Sequence, residues 1–469
     1  MMAASTLPTT RMMASWIAGL RHEDVPLPVR DALRRLLLDT LGVGLFGRDQ
    51  PWTEAVRAWA QMAKPANGKR RARLWGDSDT QLRPADAALV NGTAAHAYEL
   101  DDYHNAKLHP GAVVVSAALA LAESLDSDGA HLETAIVAGY EVMIRTALAL
   151  GPSPARLRGW HLTAVCGPLG AAAAAVVLLG LDEERAAWAL GLAGTQAGGL
   201  FAFTADGSAS KRFHPGRAAQ AGIMAAELAE LGLSGPSKIY EAVDGGLLGT
   251  FVDNADASQL TESLGNIWHA ADTSFKPYAC CGSLHAHVDA ALALRPHWRN
   301  GGRVRVGLAN VVEVQCGYDY APGSELNAQM SARYCVAAAL LDGAVLPAQF
   351  APSRIADPVV TRLAQEIELV HDAELDQLYP VHFAGWVESE VAGGKLERAM
   401  FRDPSGSPLN ATMEQSLRRK FFTLTIPILG EQKANELAAT VDDLDHHTAR
   451  EVLQGATAAA RATANLPVR

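Results

Sequence analysis

The sequence predicts a mainly α-helical protein carrying a smaller α+β lid. The expected architecture is a large, discontinuous all-helical domain interrupted by an α+β domain before its last helices. Three observations predict it. Apolar residues recur at helical spacing from Val25 to about Leu260. After Ile267 the texture changes to shorter, alternating, Val-rich stretches. From about residue 412 the helical spacing returns. The boundaries read from these shifts are 1–268 for the first helical part, 269–403 for the lid and 404–469 for the C-terminal helical part.

The elements follow in order. VPLPVRDALRRLLLDTLGVGLFG sets Val29, Leu33, Leu36, Leu37 and Leu41 on one stripe, with Pro28 near its start. Similar helical runs follow at 84–98, 112–126, 131–150, 161–179, 182–200 and 216–231. Gly151-Pro152, Gly180, Gly232 and Gly235-Pro236 punctuate their ends. Ala-rich stretches such as GAAAAAVVLLG let helices approach closely in a buried layer. In the lid, RVRVGLANVVEVQCGY reads as one or two strands. SARYCVAAALLDG and DPVVTRLAQEIELVHD read as helices, and AMFRDPSGSP as a turn or loop. The tail, MEQSLRRKFFTLTI, EQKANELAATVDDL and HHTAREVLQGATAAA, reads as helical again.

Composition narrows the function. The hydrophobic share of 49% supplies a large core, and the 6% aromatic content favours packed helices over a sandwich. A net charge of −11 argues against a nucleic-acid partner, which needs a basic surface. It leaves room for an anionic small substrate in a local cationic pocket. The five Cys are irregularly spaced and form no CxxC, so a reducing cytoplasm is expected rather than a disulfide framework. The N-terminal segment lacks a long apolar run after a basic start. The longest apolar runs, near 112–122 and 169–181, are expected to be shorter than the ~18 residues of a spanning helix, so no membrane association is expected.

Four clusters carry the chemistry. HAYELDDYHNAKLHP holds Glu99, Asp102, Tyr103 and His109 immediately before an apolar helix. Titratable groups beside a core element must be paired with each other or with a ligand. In GWHLTAVCGPLG, His161 opens a second apolar helix. DGSASKRFHPGR places Lys211 and His214 at the head of a third. SFKPYACCGSLHAH brings Lys276, Cys281 and His285. Helix N-termini already favour an anion, and added cations would make a carboxylate trap. Each cluster also has a plain structural reading: a core histidine, a solvated basic turn, inert core thiols, a capping Asp pair. A metal is the rival occupant of the first cluster, with Asp102 and His104 as ligands. HExxH, EF-hand, GxGxxG and Walker patterns are missing from the sequence, so no metal and no cofactor is expected.

At this point the chain resembles the MmgE/PrpD family, which includes 2-methylcitrate dehydratase, cis-aconitate decarboxylase and iminodisuccinate epimerase. The resemblance rests on RRLLLDTLGVGLFG, NGTAAHAYELDDYHNAKLHPGAVV, GWHLTAVCGPLGAAAAAVVLLGL, ALGLAGTQAGGL, SASKRFHPGRAAQAGIMAAELAELGLSGP, SFKPYACCGSLHAHVDAAL and SARYCVAAALLDG. It implies a helical domain plus an α+β lid, a homodimer, and chemistry without metal or organic cofactor. It also implies a site. The first acid of the decarboxylase type falls on Glu99, where Asp is commoner, and its Thr falls on Tyr103. The His before Pro is His109, the His opening the next helix is His161, and the two Lys are Lys211 and Lys276. The later catalytic His falls on Cys281, which removes a proton donor of the decarboxylase-type site.

These residues set the functional expectation: a cofactor-independent lyase, a hydro-lyase first, acting on a small di- or tricarboxylate by proton abstraction beside a carboxylate. The alternatives are epimerisation of an imino- or amino-dicarboxylate and decarboxylation of a cis-aconitate-like acid. His109, His161, Lys211 and Lys276 are the expected catalytic groups. Glu99, Asp102, Tyr103, His214, Cys281 and His285 are the expected substrate contacts. Glu99, His109, His161, Lys211 and Lys276 are expected to line one cleft.

Overall fold

The computed structural model describes residues 8–62, 70–205, 208–379 and 381–458. Asp206 and Gly207, at the head of the basic cluster, lie outside the described residues, as do the first seven residues and the end of the ATAAA stretch. The protein is mainly helical, with 61% helix and 8% strand among the described residues. It divides into two compact units. One comprises Met1–Ala97, Asp101–Thr273 and Arg419–Arg469; the other comprises Tyr98–Leu100 and Ser274–Arg418.

The first unit is built on five helices: Pro84–Ala95, Pro110–Leu125, Gly129–Leu150, Leu162–Leu179 and Ser210–Glu230. Small residues allow them to pack backbone against backbone. A Cβ on Gly139 would lie 2.9 Å from the Gly170 carbonyl oxygen, and one on Gly170 would lie 2.8 Å from that of Gly139. Larger side chains at these positions would force the helices apart. Proline starts Pro84–Ala95 and Pro110–Leu125, where its missing N–H costs nothing. Asp128 caps Gly129–Leu150 by accepting from the His131 N–H at 2.8 Å. Gly180, left-handed at φ +61°, ends Leu162–Leu179.

Three expectations for this unit need correction. Leu162–Leu179 is 18 residues long with a mean hydropathy of 2.1, so it does reach membrane-spanning length and apolarity. It is the central core helix, with 94% of it buried inside the protein. Thr9–Gly19 is a helix that the sequence reading left unassigned; it buries Met13, Ala14 and Ile17. Ser210–Glu230 starts six residues before the expected 216, because Pro215 costs the helix one internal hydrogen bond without ending it.

The second unit holds a four-stranded sheet in the order Glu368–His371, Val304–Leu308, Gly385–Glu390, Leu396–Phe401. The first pair is parallel and the other two are antiparallel. RVRVGLANVVEVQCGY supplies one strand only, since Asn310–Cys316 is a helix. DPVVTRLAQEIELVHD splits into the helix Pro358–Glu366 and the strand Glu368–His371. The start of AMFRDPSGSP belongs to a strand. In the last two cases strand pairing outweighs the local helical or loop pattern. Residues 404–418 group with this unit. The Ser405 N–H and hydroxyl both donate to Asp289 at 2.8 Å, and the Phe275 N–H donates to the Gly406 carbonyl at 3.1 Å. Residues 269–273 group with the first unit, where the Ala270 N–H donates to Glu141 at 2.8 Å.

Candidate active site

In the first unit, one helix end and three helix starts bring four imidazoles together. Pro84–Ala95 ends at His96, and Ser210–Glu230 begins with Lys211 and His214. His109 and His161 are the residues just before Pro110–Leu125 and Leu162–Leu179. The His96 ring lies 4.8 Å from that of His109 and 6.2 Å from that of His161, and His161 lies 5.1 Å from His214, measured between centroids.

Each ring is held by a definite partner. His96 Nδ1 is 2.6 Å from Asp101 Oδ2, and both residues are fully buried. A carboxylate accepts, so the His96 Nδ1 carries the proton. His109 Nδ1 donates to the Asp102 carbonyl at 2.8 Å and lies 3.4 Å from Asp101 Oδ2. The His109 backbone N–H donates to Thr163 Oγ1 at 3.1 Å, fastening one helix start to the next. His161 and His214 share a hydrogen bond between their Nδ1 atoms at 2.9 Å. The His161 ring packs edge-on against Phe201 and Phe203.

The electrostatics separate these imidazoles. Burial, then the neighbouring His96 and Lys211, push His161 well below the ordinary imidazole value. Burial followed by His96 and Lys211 lowers His214 to about 4. Both rings are neutral at pH 7, so one donates its Nδ1 proton to the other's lone pair.

Asp102 sits behind this cluster. Its carboxyl oxygens take the Gly111 N–H at 2.9 and 3.1 Å, and Oδ2 lies 2.7 Å from the Tyr140 hydroxyl. Burial above all raises it to about 8. The sequence reading made Asp102 a substrate contact; the structure occupies it with the first turn of Pro110–Leu125 and with Tyr140. Tyr103 is half-buried in the same loop. His104 accepts from the Ala106 N–H at 3.0 Å, and burial followed by the neighbouring His269 lowers it to about 3.

In the second unit, Lys276 donates to Glu99 Oε2 at 2.8 Å, with both side chains 3% exposed. Glu99 holds a left-handed backbone at φ +54°, a conformation that a non-glycine residue adopts only under external constraint. The Gln329 amide supplies one constraint, donating to the Tyr98 carbonyl at 3.3 Å. Cys281 hydrogen-bonds Cys316; that bond, the Ser283 N–H and the Lys276 ammonium hold its thiol below the usual value against the opposing effect of burial. His285, buried, lies 3.3 Å from the Cys280 carbonyl through Nε2 and packs edge-on to Tyr278. The predicted residues therefore fall into two groups, His109, His161, Lys211 and His214 in the first unit and Glu99, Lys276, Cys281 and His285 in the second.

Sequence reasoning places His96 and Asp101 in the first cluster but gives neither a catalytic or substrate-contact role. The signal was present: a His and an Asp five residues apart, straddling a helix end, in the segment richest in titratable groups. Two groups among the described residues have ligand atoms within 4.8 Å of one another: His96, Asp101 and His109, and His22, Glu133 and Asp445. In the second group Arg34 lies 2.9 Å from Glu133 and 2.7 Å from Asp445, so a guanidinium already balances the carboxylates. Asp102 and His104, the ligands envisaged from sequence, belong to neither group.

The comparisons with known proteins bear on this arrangement. The MmgE/PrpD N-terminal domain matches residues 11–259, and the MmgE/PrpD C-terminal domain matches residues 278–446. The chain belongs to the MmgE/PrpD family. A cis-aconitate decarboxylase-like protein of Aspergillus oryzae is 30% identical over 467 residues, covering 93% of this chain and 94% of the relative. A cis-aconitate decarboxylase of Aspergillus terreus is 30% identical over 464 residues, with 94% of each covered. The cis-aconitate decarboxylase of Homo sapiens is 32% identical over 378 residues, covering 77% of this chain and 76% of the relative. The two domain matches of this MmgE/PrpD protein include the histidine cluster and, from residue 278 onward, Cys281 and His285; Lys276 lies between the two matched stretches.

Proposed function

We propose that this MmgE/PrpD protein is a lyase that releases CO2 from a small tricarboxylate of the cis-aconitate type. The observation that carries the reading is its likeness, over nearly the whole chain, to proteins named as cis-aconitate decarboxylases. The site chemistry supports it. Loss of CO2 leaves an electron pair on carbon, which the remaining carboxylates must help to disperse. Cations stabilise that developing charge, and Lys211 at the head of its helix is suited to bind a carboxylate. Lys276, whose ammonium donates to Glu99 at 2.8 Å, is the second cation that the sequence offers for a carboxylate. The carbanion then needs a proton, and the imidazoles of His96, His109 and His161 are the groups able to move one.

A hydro-lyase is the second reading, favoured by Cys281. A thiol stands there where the decarboxylase-type site of the resemblance has a histidine. Incubating the protein with cis-aconitate and other di- and tricarboxylates in D2O, followed by NMR, tests both. CO2 release with one deuterium in the product supports the decarboxylase. Alkene formation with loss of water supports the hydro-lyase, and deuterium uptake without net change supports an epimerase.

A further inference from the structure

We propose that His96, oriented by Asp101, is the group that delivers the proton to the substrate carbon. The inference rests on the lyase reading and assigns a role within it to two residues outside the expected set.

A proton carrier must alternate between imidazole and imidazolium, so it needs an anion beside it and an open ring nitrogen. His96 meets both requirements. Asp101 Oδ2, at 2.6 Å, is the anion, and it fixes the Nδ1–H. The opposite nitrogen, Nε2, is buried and has no hydrogen-bond partner among the described residues. Leaving a buried ring nitrogen unpaired is costly unless a ligand completes it. The other imidazoles meet these requirements less well. The Nδ1 of His161 is engaged by another imidazole, and burial, then His96 and Lys211, disfavours its charged form. His109 spends its Nδ1–H on a neutral carbonyl, with Asp101 at the longer distance of 3.4 Å. His96 also occupies a central place, its ring neighbouring both His109 and His161.

In the step itself, the bond from carbon to the departing carboxylate breaks and its electron pair stays on carbon. CO2 leaves, the pair takes the Nε2 proton, and His96 returns to imidazole. Water then restores the proton, so one proton is consumed per CO2 released. Asp101 keeps its charge throughout and is a positioning residue.

The test compares wild type, His96→Gln and Asp101→Asn with cis-aconitate across a pH series. His96→Gln should lower kcat by about 10²–10⁴-fold, the range for a positioned acid or base, with KM within about threefold. It should also abolish one limb of the kcat–pH profile, and Asp101→Asn should displace that limb. The charged and titratable neighbours that can shade the limb are His109, His161, Lys211, His214, Asp102, Asp39 and Lys420. A His96→Gln enzyme within about threefold of wild-type kcat overturns the proposal, as does a limb that neither variant moves. If circular dichroism shows that His96→Gln does not fold, the displacement in Asp101→Asn decides. Imidazole ¹⁵N spectra of the wild type give an answer independent of turnover: His96 should carry its proton on Nδ1 when neutral and on both nitrogens when charged, and a neutral Nε2–H tautomer overturns the assignment. If the wild type exchanges deuterium or eliminates water but releases no CO2, the decarboxylase reading falls; the role of His96 then stands or falls on whether His96→Gln stops that exchange.

Discussion

Gly92 and Gly216 meet where two helices cross: a Cβ on Gly92 would lie 2.8 Å from the Gly216 Cα, and a Cβ on Gly216 would lie 2.1 Å from the Leu89 carbonyl oxygen. The contact has a chemical consequence. Four residues beyond Gly92 the first helix ends at His96, and the second carries Lys211 and His214 on its first turns. The closeness of the two backbones therefore sets the spacing of the imidazole cluster.

Gly216→Ala is expected to destabilise the protein by roughly 1–3 kcal/mol, the usual cost of overpacking, because backbone atoms cannot give way as a flexible side chain would. It should lower kcat beyond what the loss of folded protein explains, since His214 and Lys211 move with their helix. A urea titration and a rate measurement on the folded fraction check both. Wild-type stability in the variant would show that the helices tolerate separation at this point.

Lys420 and Asp39 form a second buried pair, at 2.6 Å, beneath the loop that holds Asp101 and Asp102. Burial lowers the ammonium from its ordinary value, with Asp39 opposing that shift. Removing one partner leaves the other charged in a dry place. Lys420→Met should cost about 3–5 kcal/mol, and Asp39→Leu combined with it should recover much of that loss. Additive losses in the double variant would show that the two charges do not interact.

Much of this molecule was legible from its pattern. Helical periodicity located the main helices of the first unit, since Val29, Leu33, Leu36 and Leu37 mark a stripe that only a helix buries together. The switch after Ile267 likewise announced the sheet-bearing segment. Tertiary pairing is what the pattern could not express. IELVH looks like the end of a helix until Val304–Leu308 lies parallel to it. The histidines drew notice because each opens an apolar helix. His96 closes one instead, and its importance depends on Asp101 folding back to 2.6 Å, a distance that no spacing rule reports.

Cys281 should be the reactive thiol of the second unit. The Cys316 hydrogen bond, the Ser283 N–H and the Lys276 ammonium favour its thiolate, whereas burial above all pushes the Cys280 thiol up. Alkylation by iodoacetamide, followed by peptide mass spectrometry, should modify Cys281 ahead of Cys280, with an inflection below the ~8.5 of a free thiol. Cys316→Ala should move that inflection upward, because it removes the largest favourable contact. Equal labelling of Cys280 and Cys281 would refute the assignment.

Asp102 makes a prediction whose sign can be worked out. Burial is the main cause that raises its carboxyl to about 8 in the folded protein, with Asp101 and Asp39 adding to the shift and the bonds from Tyr140 and Gly111 opposing it. In the unfolded chain the same group titrates near the ordinary carboxyl value of about 3.9. Between those two values the folded state holds a proton that the unfolded state has lost, so stability falls as pH rises. The contribution is fully present below about pH 4 and is lost as pH climbs through about 8. Asp102→Asn keeps the shape of the neutral acid, can still accept from the Gly111 N–H, and cannot ionise. The variant should therefore gain on the wild type as pH rises from 5 to 9, the thermal midpoints converging or crossing at the alkaline end. Comparing the two proteins cancels the pH dependence of every other group they share. A gap between midpoints that stays constant over that range would mean that Asp102 is already ionised in the folded protein. The reading of it as a neutral support beneath the histidine cluster would then fail.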